Sequence, residues 1–517
     1  MFLRRFLLFT FLVCAAGCAR QRPPEVKLPP PPPLPTAIEP IADLQSIRPA
    51  PNRVGQLQQQ IDQLIRIYDL DRAHWGIKIV SVDRNEILYE RNSRIPIIPA
   101  SNMKIVTAAA ALLRLGPDFR YETRLISDGP VVNGRLMGNL AVVGSGDPTI
   151  SARMQNGDPF AVFRAWADEL KQMGISRIDG WILGIDSYFD DQRAADGWPP
   201  SAYNAPYAAQ VSALQFNDNV IAVRVKAGRK GRLASVHLYP DTRYLRVRNG
   251  VITRSGHANR FVAYRTEHTN TIVLRGRIGT RDPVDVRYIT VHDPAGYFAA
   301  VLKETLEKKG IRSKGFRHAS REEADQLLSK PESNVLVTYT SSPLSNIVSE
   351  MMKTSQNLFA ETLAKTISAV EDQSGSFRGA QDSIRRILTP FGIAAQELVM
   401  QDGSGLSSYN YVTANLLTQI LVGMAKQESF QHFYSSFPVA GIDGTLKTRM
   451  IGTSAEGRVY AKTGYIGSVR SLSGYVRTAD HEQLAFSLIT NHFDQPLRNI
   501  DSAHEQICTM LVEFSRK

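Results

Sequence analysis

Cysteine is scarce. Three in 517 residues, at positions 14, 18 and 508, exclude a scaffold built on disulfides. Histidine is sparse as well. The ten residues are scattered, with no His-Glu-x-x-His pair and no Cys/His cluster, so no metal site is expected. There is no Gly-x-x-x-x-Gly-Lys-Ser/Thr phosphate loop, and no cofactor is expected. Beyond the first residues, no hydrophobic run is long enough to span a membrane. Lys and Arg number 61 against 49 Asp and Glu, a net charge of +12. That excess favours an acidic partner by long-range attraction, but without a dense basic block it argues against nucleic acid. What remains is ordinary globular composition, 43% apolar and 21% charged, in a length that suggests about three domains.

The first residues read as an address. Arg4 and Arg5 precede the apolar run Phe6–Val13 and then small residues, the three-part pattern of a secretory signal peptide over 1–17. Ala15-Ala16-Gly17-Cys18 resembles a bacterial lipobox, with Ala15 where leucine is usual. Cys18 is therefore the expected lipidation site. With Ala19 rather than Asp behind it, the resemblance implies periplasmic anchoring to the outer membrane of a Gram-negative cell. Residues 18–52 continue as a tether: eleven of the 28 prolines fall between Pro23 and Pro51. At roughly 3.1 Å per residue in polyproline II, such a segment reaches on the order of 100 Å. Cys508 sits among Ile507, Leu511, Val512 and Phe514 and reads as a buried small hydrophobe.

The folded body begins near Arg53. Val54, Leu57, Ile61, Leu64 and Ile65 have helical spacing, and Trp75–Val82 and Glu86–Tyr89 read as strands. An apolar helix follows Ser101 and stops at Gly116-Pro117. From about 120 to 325 short β-rich runs alternate with turns. Two segments there echo each other, Asp158-Pro159 to Gly180 and Asp293-Pro294 to Gly315, each reading as capped helix, glycine stop and strand. Helices return after 325, and the chain ends in strands and a helix.

Three short motifs carry chemistry. In Ser101-Asn102-Met103-Lys104, residues i and i+3 share a helix face, so Lys104 lies beside the Ser101 hydroxyl. A serine hydroxyl becomes a nucleophile when a neighbouring base removes its proton. Ser355-Gln356-Asn357 places a hydroxyl and an amide two residues apart between apolar helices, where the first can relay a proton and the second hold a carbonyl. Lys462-Thr463-Gly464 ends the expected strand Arg458–Ala461. Its cation and hydroxyl suit a carboxylate, and its glycine admits close backbone approach. Ser-x-x-Lys and the polar box are common by chance, whereas Lys-Thr-Gly is expected only about 0.1 times in such a chain and weighs most.

In that order the motifs resemble the serine acyl-transfer set of penicillin-binding proteins and β-lactamases. From about 75 to 490 the chain resembles the low-molecular-mass class C penicillin-binding proteins, the D-alanyl-D-alanine carboxypeptidase/endopeptidase family. Gly144-Ser145-Gly146-Asp147-Pro148-Thr149, Asp402-Gly403-Ser404-Gly405-Leu406-Ser407, Gly441-Ile442-Asp443-Gly444-Thr445-Leu446 and Ser471-Leu472-Ser473-Gly474-Tyr475 look like further family motifs. So does the insertion of 250 residues between Lys104 and Ser355.

The resemblance implies an α/β (α+β) fold: an antiparallel sheet flanked by helices, interrupted by a large β-rich insertion of two small domains. The expected parts are 53–119 and 326–517 for the catalytic domain and 120–325 for the insertion. It implies Ser101 as acylated nucleophile, Lys104 as its base, Ser355 as proton relay, and Asn357 holding the peptide. Lys462 and Thr463 would grip the terminal carboxylate beside Gly464, and the backbone N–H groups of Ser101 and Tyr465 would form the oxyanion hole. Relatives usually carry Thr or Ser at the Tyr465 position. Relatives also carry an acid a few residues after a Gly-Trp pair; here Gly197-Trp198 is followed by none, and Tyr207 is left as an aromatic wall. The implied partners are peptidoglycan stem peptides and β-lactams. Two other readings stay open: a β-lactamase or esterase on the same catalytic domain, and a non-catalytic wall-binding lipoprotein.

Overall fold

The computed structural model describes residues 53–68, 70, 72–330, 334–372 and 374–517. The signal peptide, Cys14, Cys18 and the proline-rich tether lie outside the described residues.

Five antiparallel strands build the central sheet, in the order Val459–Ile466, Val469–Arg477, Gln483–Asn491, His74–Ser81 and Glu86–Arg91. Two strands come from the start of the folded body and three from its end, so the sheet closes only when distant parts of the chain meet. Alternation along each strand divides the side chains between two cores. Ile77, Ile79, Leu472, Val476, Leu484, Phe486 and Leu488 face the helices Arg53–Ile67 and Leu497–Glu513. Val80, Tyr475, Ala485 and Ile489 face the opposite layer, where Met103–Leu115, Leu344–Thr354, Asn357–Asp372, Phe377–Leu388 and Ala414–Met424 pack. Each fully buried Leu, Ile or Phe in these layers contributes roughly 1.5–3 kcal/mol. Cys508 lies in the first core, where burial pushes its thiol up to about 12, as its apolar neighbours in sequence suggested.

Local details differ from the sequence reading in two places. Ser101 sits in a 3₁₀ turn, Ala100–Asn102, and the α-helix begins at Met103. The strand expected to end before Lys462 runs from Val459 through Ile466, so Lys-Thr-Gly lies inside it. The strand tolerates the glycine because pairing with Val469–Arg477 continues across it, Gly464 opposite Ser471.

The insertion has its own mixed sheet, ordered Gly315–His318, Trp181–Ile185, Leu140–Val143, Glu122–Ser127 and Asn334–Thr340. The last strand pairs antiparallel with Glu122–Ser127, so the hydrogen bonding of the insertion continues past residue 325 to Thr340. The two echoing segments form helices Ala161–Gln172 and Pro294–Lys308, each leading into a strand, and those strands lie side by side and parallel with Gly315 opposite Trp181. Nested within this unit, Val220–Thr290 forms two three-stranded sheets. One is Ser235–Tyr239, Val220–Lys226 and Asp285–Thr290; the other is Arg246–Arg254, Thr271–Gly279 and Arg260–Arg265. One continuous apolar core joins the nested sheets to the larger unit.

Candidate active site

The 3₁₀ turn presents Ser101 at the head of an apolar helix, and Lys104 lies one turn further along with its side chain fully buried. The Lys104 ammonium has three partners: Ser101 Oγ at 3.0 Å, Asn357 Oδ1 at 2.7 Å and the Ser404 carbonyl at 2.9 Å. Burial drives this amine down to about 7, while the nearby Glu361 and Asp402 charges pull the other way.

Ser355 ends the helix Leu344–Thr354 in a left-handed conformation, φ 60°. A non-glycine residue held there is uncommon and turns the chain sharply between two helices. The Ser355 hydroxyl accepts from the Lys462 ammonium at 2.8 Å. Lys462 also reaches the Thr463 carbonyl at 2.9 Å, which leaves one of its three donors for another acceptor. Fully buried and near Lys104, Lys462 is held well below the usual lysine range, first by burial and then by its cationic neighbour. Asn357 accepts from Lys104 through Oδ1 and donates through Nδ2 to the Tyr207 carbonyl at 2.8 Å. The amide therefore joins Lys104 to the inserted region.

Val459–Ile466 is the edge strand of the central sheet, so half of its backbone groups face away from the neighbouring strand. On that side Ala461 N–H donates to the Pro438 carbonyl at 3.0 Å, and the Val459 carbonyl accepts from Ala440 N–H at 3.0 Å. Strand alternation sends the Thr463 and Tyr465 amides the same way. Asn102 Nδ2 donates to the Lys462 carbonyl at 2.9 Å, and Ser471 Oγ donates to the Pro99 carbonyl at 2.7 Å, pinning the Ser101 turn to the sheet. A Cβ added at Gly464 would stand 3.0 Å from the Ser101 nitrogen and 2.9 Å from the Pro99 carbonyl oxygen. Close approach of strand and turn is thus the reason for glycine here. Thr463 Oγ1 donates to Thr445 Oγ1 at 2.8 Å. The Tyr465 ring lies exposed at the rim with the Arg470 guanidinium 4.6 Å over its face.

Behind Lys104, the buried Asp402 carboxylate accepts from Gly405 N–H at 2.7 Å, Ser407 N–H at 2.6 Å, Asn410 Nδ2 at 2.8 Å and the Trp198 indole at 2.8 Å. Four donors on one carboxylate lock the loop that aims the Ser404 carbonyl at Lys104. Glu361, one helical turn after Asn357, accepts from Gly403 N–H at 2.7 Å and Ser404 N–H at 3.0 Å. Burial and the Asp402 charge raise its carboxyl above the usual range.

The structure therefore brings Ser101, Lys104, Ser355, Asn357 and Lys462 into one connected cluster, with Thr463 and Gly464 beside it. Tyr207 joins through its backbone, and its ring is exposed. Cys18 lies outside the described residues. Sequence reasoning assigned no role to Asn102, Glu361 or Thr445. Only the i+4 spacing of Glu361 from Asn357 marked it as facing the cluster.

The profile of a family described as D-Ala-D-Ala carboxypeptidase 3 (S13) matches residues 57–511. A D-alanyl-D-alanine carboxypeptidase of Actinomadura sp. (strain R39) is 34% identical over 456 residues, 86% of this chain and 82% of that protein. A D-alanyl-D-alanine carboxypeptidase of Haemophilus influenzae is 26% identical over 425 residues, 81% of this chain and 85% of that protein. Among solved structures, penicillin binding protein 4 of Haemophilus influenzae superposes with a TM-score of 0.76 at 24% identity, over 88% of this chain and 99% of that one. Its complex with a β-lactam gives a TM-score of 0.71 at 25% identity, over 88% of this chain and 100% of that one.

Proposed function

The chain belongs to the D-Ala-D-Ala carboxypeptidase 3 (S13) family, and from that premise we propose a course for its reaction, residue by residue. The enzyme is a serine-type D-Ala-D-Ala carboxypeptidase acting on peptidoglycan stem peptides. The supporting observation is the paired contact of two buried lysines with two serines: Lys104 Nζ with Ser101 Oγ at 3.0 Å and Lys462 Nζ with Ser355 Oγ at 2.8 Å.

Lys104 works as a neutral amine. Its two N–H groups then donate to Asn357 Oδ1 and the Ser404 carbonyl, and its lone pair is left for the Ser101 O–H. As Ser101 Oγ bonds to the carbonyl carbon between the two D-alanines, its proton passes to Lys104 Nζ. The carbonyl oxygen takes the negative charge and is held by the Ser101 and Tyr465 amides. The third donor of Lys462 and the Thr463 hydroxyl, which turns its proton from Thr445 to the substrate, hold the terminal carboxylate. Ser355, backed by Lys462, gives a proton to the departing amine, the C–N bond breaks, and D-alanine leaves an ester on Ser101. Water then attacks the ester carbonyl as its proton passes to Ser355; the acyl C–O bond breaks, Lys104 returns its proton to Ser101 Oγ, and the shortened peptide leaves as an acid. A β-lactam presents a strained amide to the same groups and acylates the same oxygen.

Labelling with a fluorescent penicillin, followed by intact-protein mass, tests this course. One adduct on the parent and none on Ser101→Ala is expected; covalent labelling of Ser101→Ala would refute it. An acyl-enzyme lasting only milliseconds would favour a β-lactamase instead. Digestion of cross-linked muropeptides, read by product mass, shows whether cross-link cleavage accompanies release of terminal D-alanine.

We further infer that the mature enzyme is held by lipid on Cys18 at the periplasmic face of the outer membrane, with residues 18–52 as tether. The support is the Ala15–Cys18 pattern and the proline content behind it. Radiolabelled palmitate incorporated by the parent and lost in Cys18→Ser is the expected result.

A further inference from the structure

The positive charge of this chain is not spread evenly. Between Val220 and Thr290 the sequence carries 15 Lys and Arg against four Asp and Glu, an excess of eleven out of the chain's net +12. No dense basic run betrays it, because the charges fall on alternate positions of neighbouring strands.

Register brings them together. In the sheet Arg246–Arg254, Thr271–Gly279 and Arg260–Arg265, Arg277 is opposite Arg260 on one side and Ile252 on the other, while Arg275 is opposite Val262 and Gly250. Residues directly opposite share a face. Arg246, Arg248, Arg254, Arg260, Arg275 and Arg277 therefore stand on one face, and all six are exposed. The other face carries Val251, Ile272, Leu274 and Ile278, all buried in the core of the insertion. None of the four acids of the segment lies on a strand of this sheet, and none of the six arginines forms an ion pair among the described residues. Like charges placed directly opposite on a sheet oppose folding, so the stability of the sheet does not account for the arrangement. Val262, 58% exposed, and the half-buried Tyr264 and Ile252 lie between the guanidinium groups. The result is an exposed sheet face of arginines interleaved with apolar side chains.

We propose that this face is a docking platform for the glycan-peptide polymer of the wall, recognised through the repeated carboxylates of its stems. The proposal rests on the carboxypeptidase reading: a stem ending in D-alanine ends in a carboxylate, so a polymer displaying many stems is a polyanion. Planar guanidinium groups suit carboxylates in fork geometry. Many weak contacts on one polymer raise the local concentration of stems at the cleft. The sheet is also wired to that cleft. Arg265 is buried, its N–H donates to Asn204 Oδ1 at 2.9 Å, and its guanidinium donates to the Tyr203 hydroxyl at 2.8 Å. A few residues on, the Tyr207 carbonyl accepts from Asn357.

The test uses the full chain carrying Ser101→Ala, so that substrate survives, and measures co-sedimentation with purified sacculi over a range of salt. The platform variant combines Arg248→Gln, Arg260→Gln, Arg275→Gln and Arg277→Gln. We expect its affinity for sacculi to fall roughly ten-fold or more at low salt, with a flatter salt dependence. The same four positions changed to Lys should keep most of the binding. In the Ser101 form, penicillin acylation and release of D-alanine from a small peptide should be unchanged by the four Gln substitutions. Should those substitutions prevent folding, the unmodified face is tested with sacculi whose carboxylates have been amidated, which should bind weakly. Undiminished binding of the Gln variant, or equal binding of amidated sacculi, would overturn the proposal. So would a Gln variant that loses only its affinity for phosphatidylglycerol vesicles, since the partner would then be a lipid surface. The two readings fail separately: an enzyme that binds sacculi through these arginines but neither takes up penicillin nor releases D-alanine sinks the catalytic assignment and leaves the platform standing.

Discussion

Gly464→Ala is a single methyl placed where the edge strand meets the Ser101 turn. The added carbon would meet Ser471 Oγ at 2.2 Å, the Pro99 carbonyl oxygen at 2.9 Å and the Ser101 nitrogen at 3.0 Å. The serine hydroxyl can rotate away, at the expense of its bond to Pro99. The other two atoms are backbone and can yield only by moving the strand from the turn. Restoring ordinary contact takes a few tenths of an ångström, and the stability cost of such overpacking is about 1–3 kcal/mol. In the proposed course the Ser101 and Tyr465 amides converge on one oxygen, so the same displacement should weaken an oxyanion donor. Losing one donor costs about 10²–10³ in rate. Stopped-flow acylation by a chromogenic cephalosporin should therefore slow by roughly 10²-fold, with a modest fall in Tm. Gly464→Ala combined with Ser471→Ala separates the two contacts. Relief of the hydroxyl clash should leave acylation slow, because the backbone contacts remain. Acylation at the parent rate in either variant would refute the argument from close approach.

The acylation rate should rise with pH through about 7, where Lys104 loses its proton, and fall about ten-fold per unit below that, because only the neutral amine accepts from Ser101. A flat profile between pH 5 and 8 would count against Lys104 as base. Lys104→Met should lower acylation by about 10²–10⁴-fold above pH 7 and flatten the pH profile, so that the gap to the parent narrows in acid. Ser355→Ala should slow release of D-alanine by a similar factor of about 10²–10⁴, read with a peptide whose terminal D-alanine is quantified. Asp402→Asn replaces an acceptor by a donor among four N–H groups. It should cost about 1–3 kcal/mol in chemical denaturation and slow acylation as the Ser404 carbonyl loses its aim.

The cluster around Ser101 was legible because the proposed chemistry needs particular side chains in order along the chain. Ser101, Lys104, Ser355, Asn357 and Lys462 are named by type and spacing, and the fold only had to bring them together. The outer elements were legible as well, since Leu57, Ile61, Leu64 and Ile65 repeat at helical intervals. Glu361 was hidden for a physical reason. A glutamate within an apolar helix reads as a surface position, and only the approach of the Gly403 and Ser404 amides makes its burial tolerable. The arginine face was hidden because residues 246–277 share a surface only through strand register, which no linear pattern states. The extent of the Lys462 strand was missed because glycine weakens strand propensity, while pairing across Gly464 restores it.

The bond from Asn102 to the Lys462 carbonyl spans 360 positions of the chain. During synthesis Ser101 emerges long before the strand that completes its pocket. A chain truncated before Val459 would hold Ser101 without the strand Val459–Ile466 that packs beside it. In the proposed course, chemistry therefore waits until these two distant segments have folded against each other, wherever in the cell that happens.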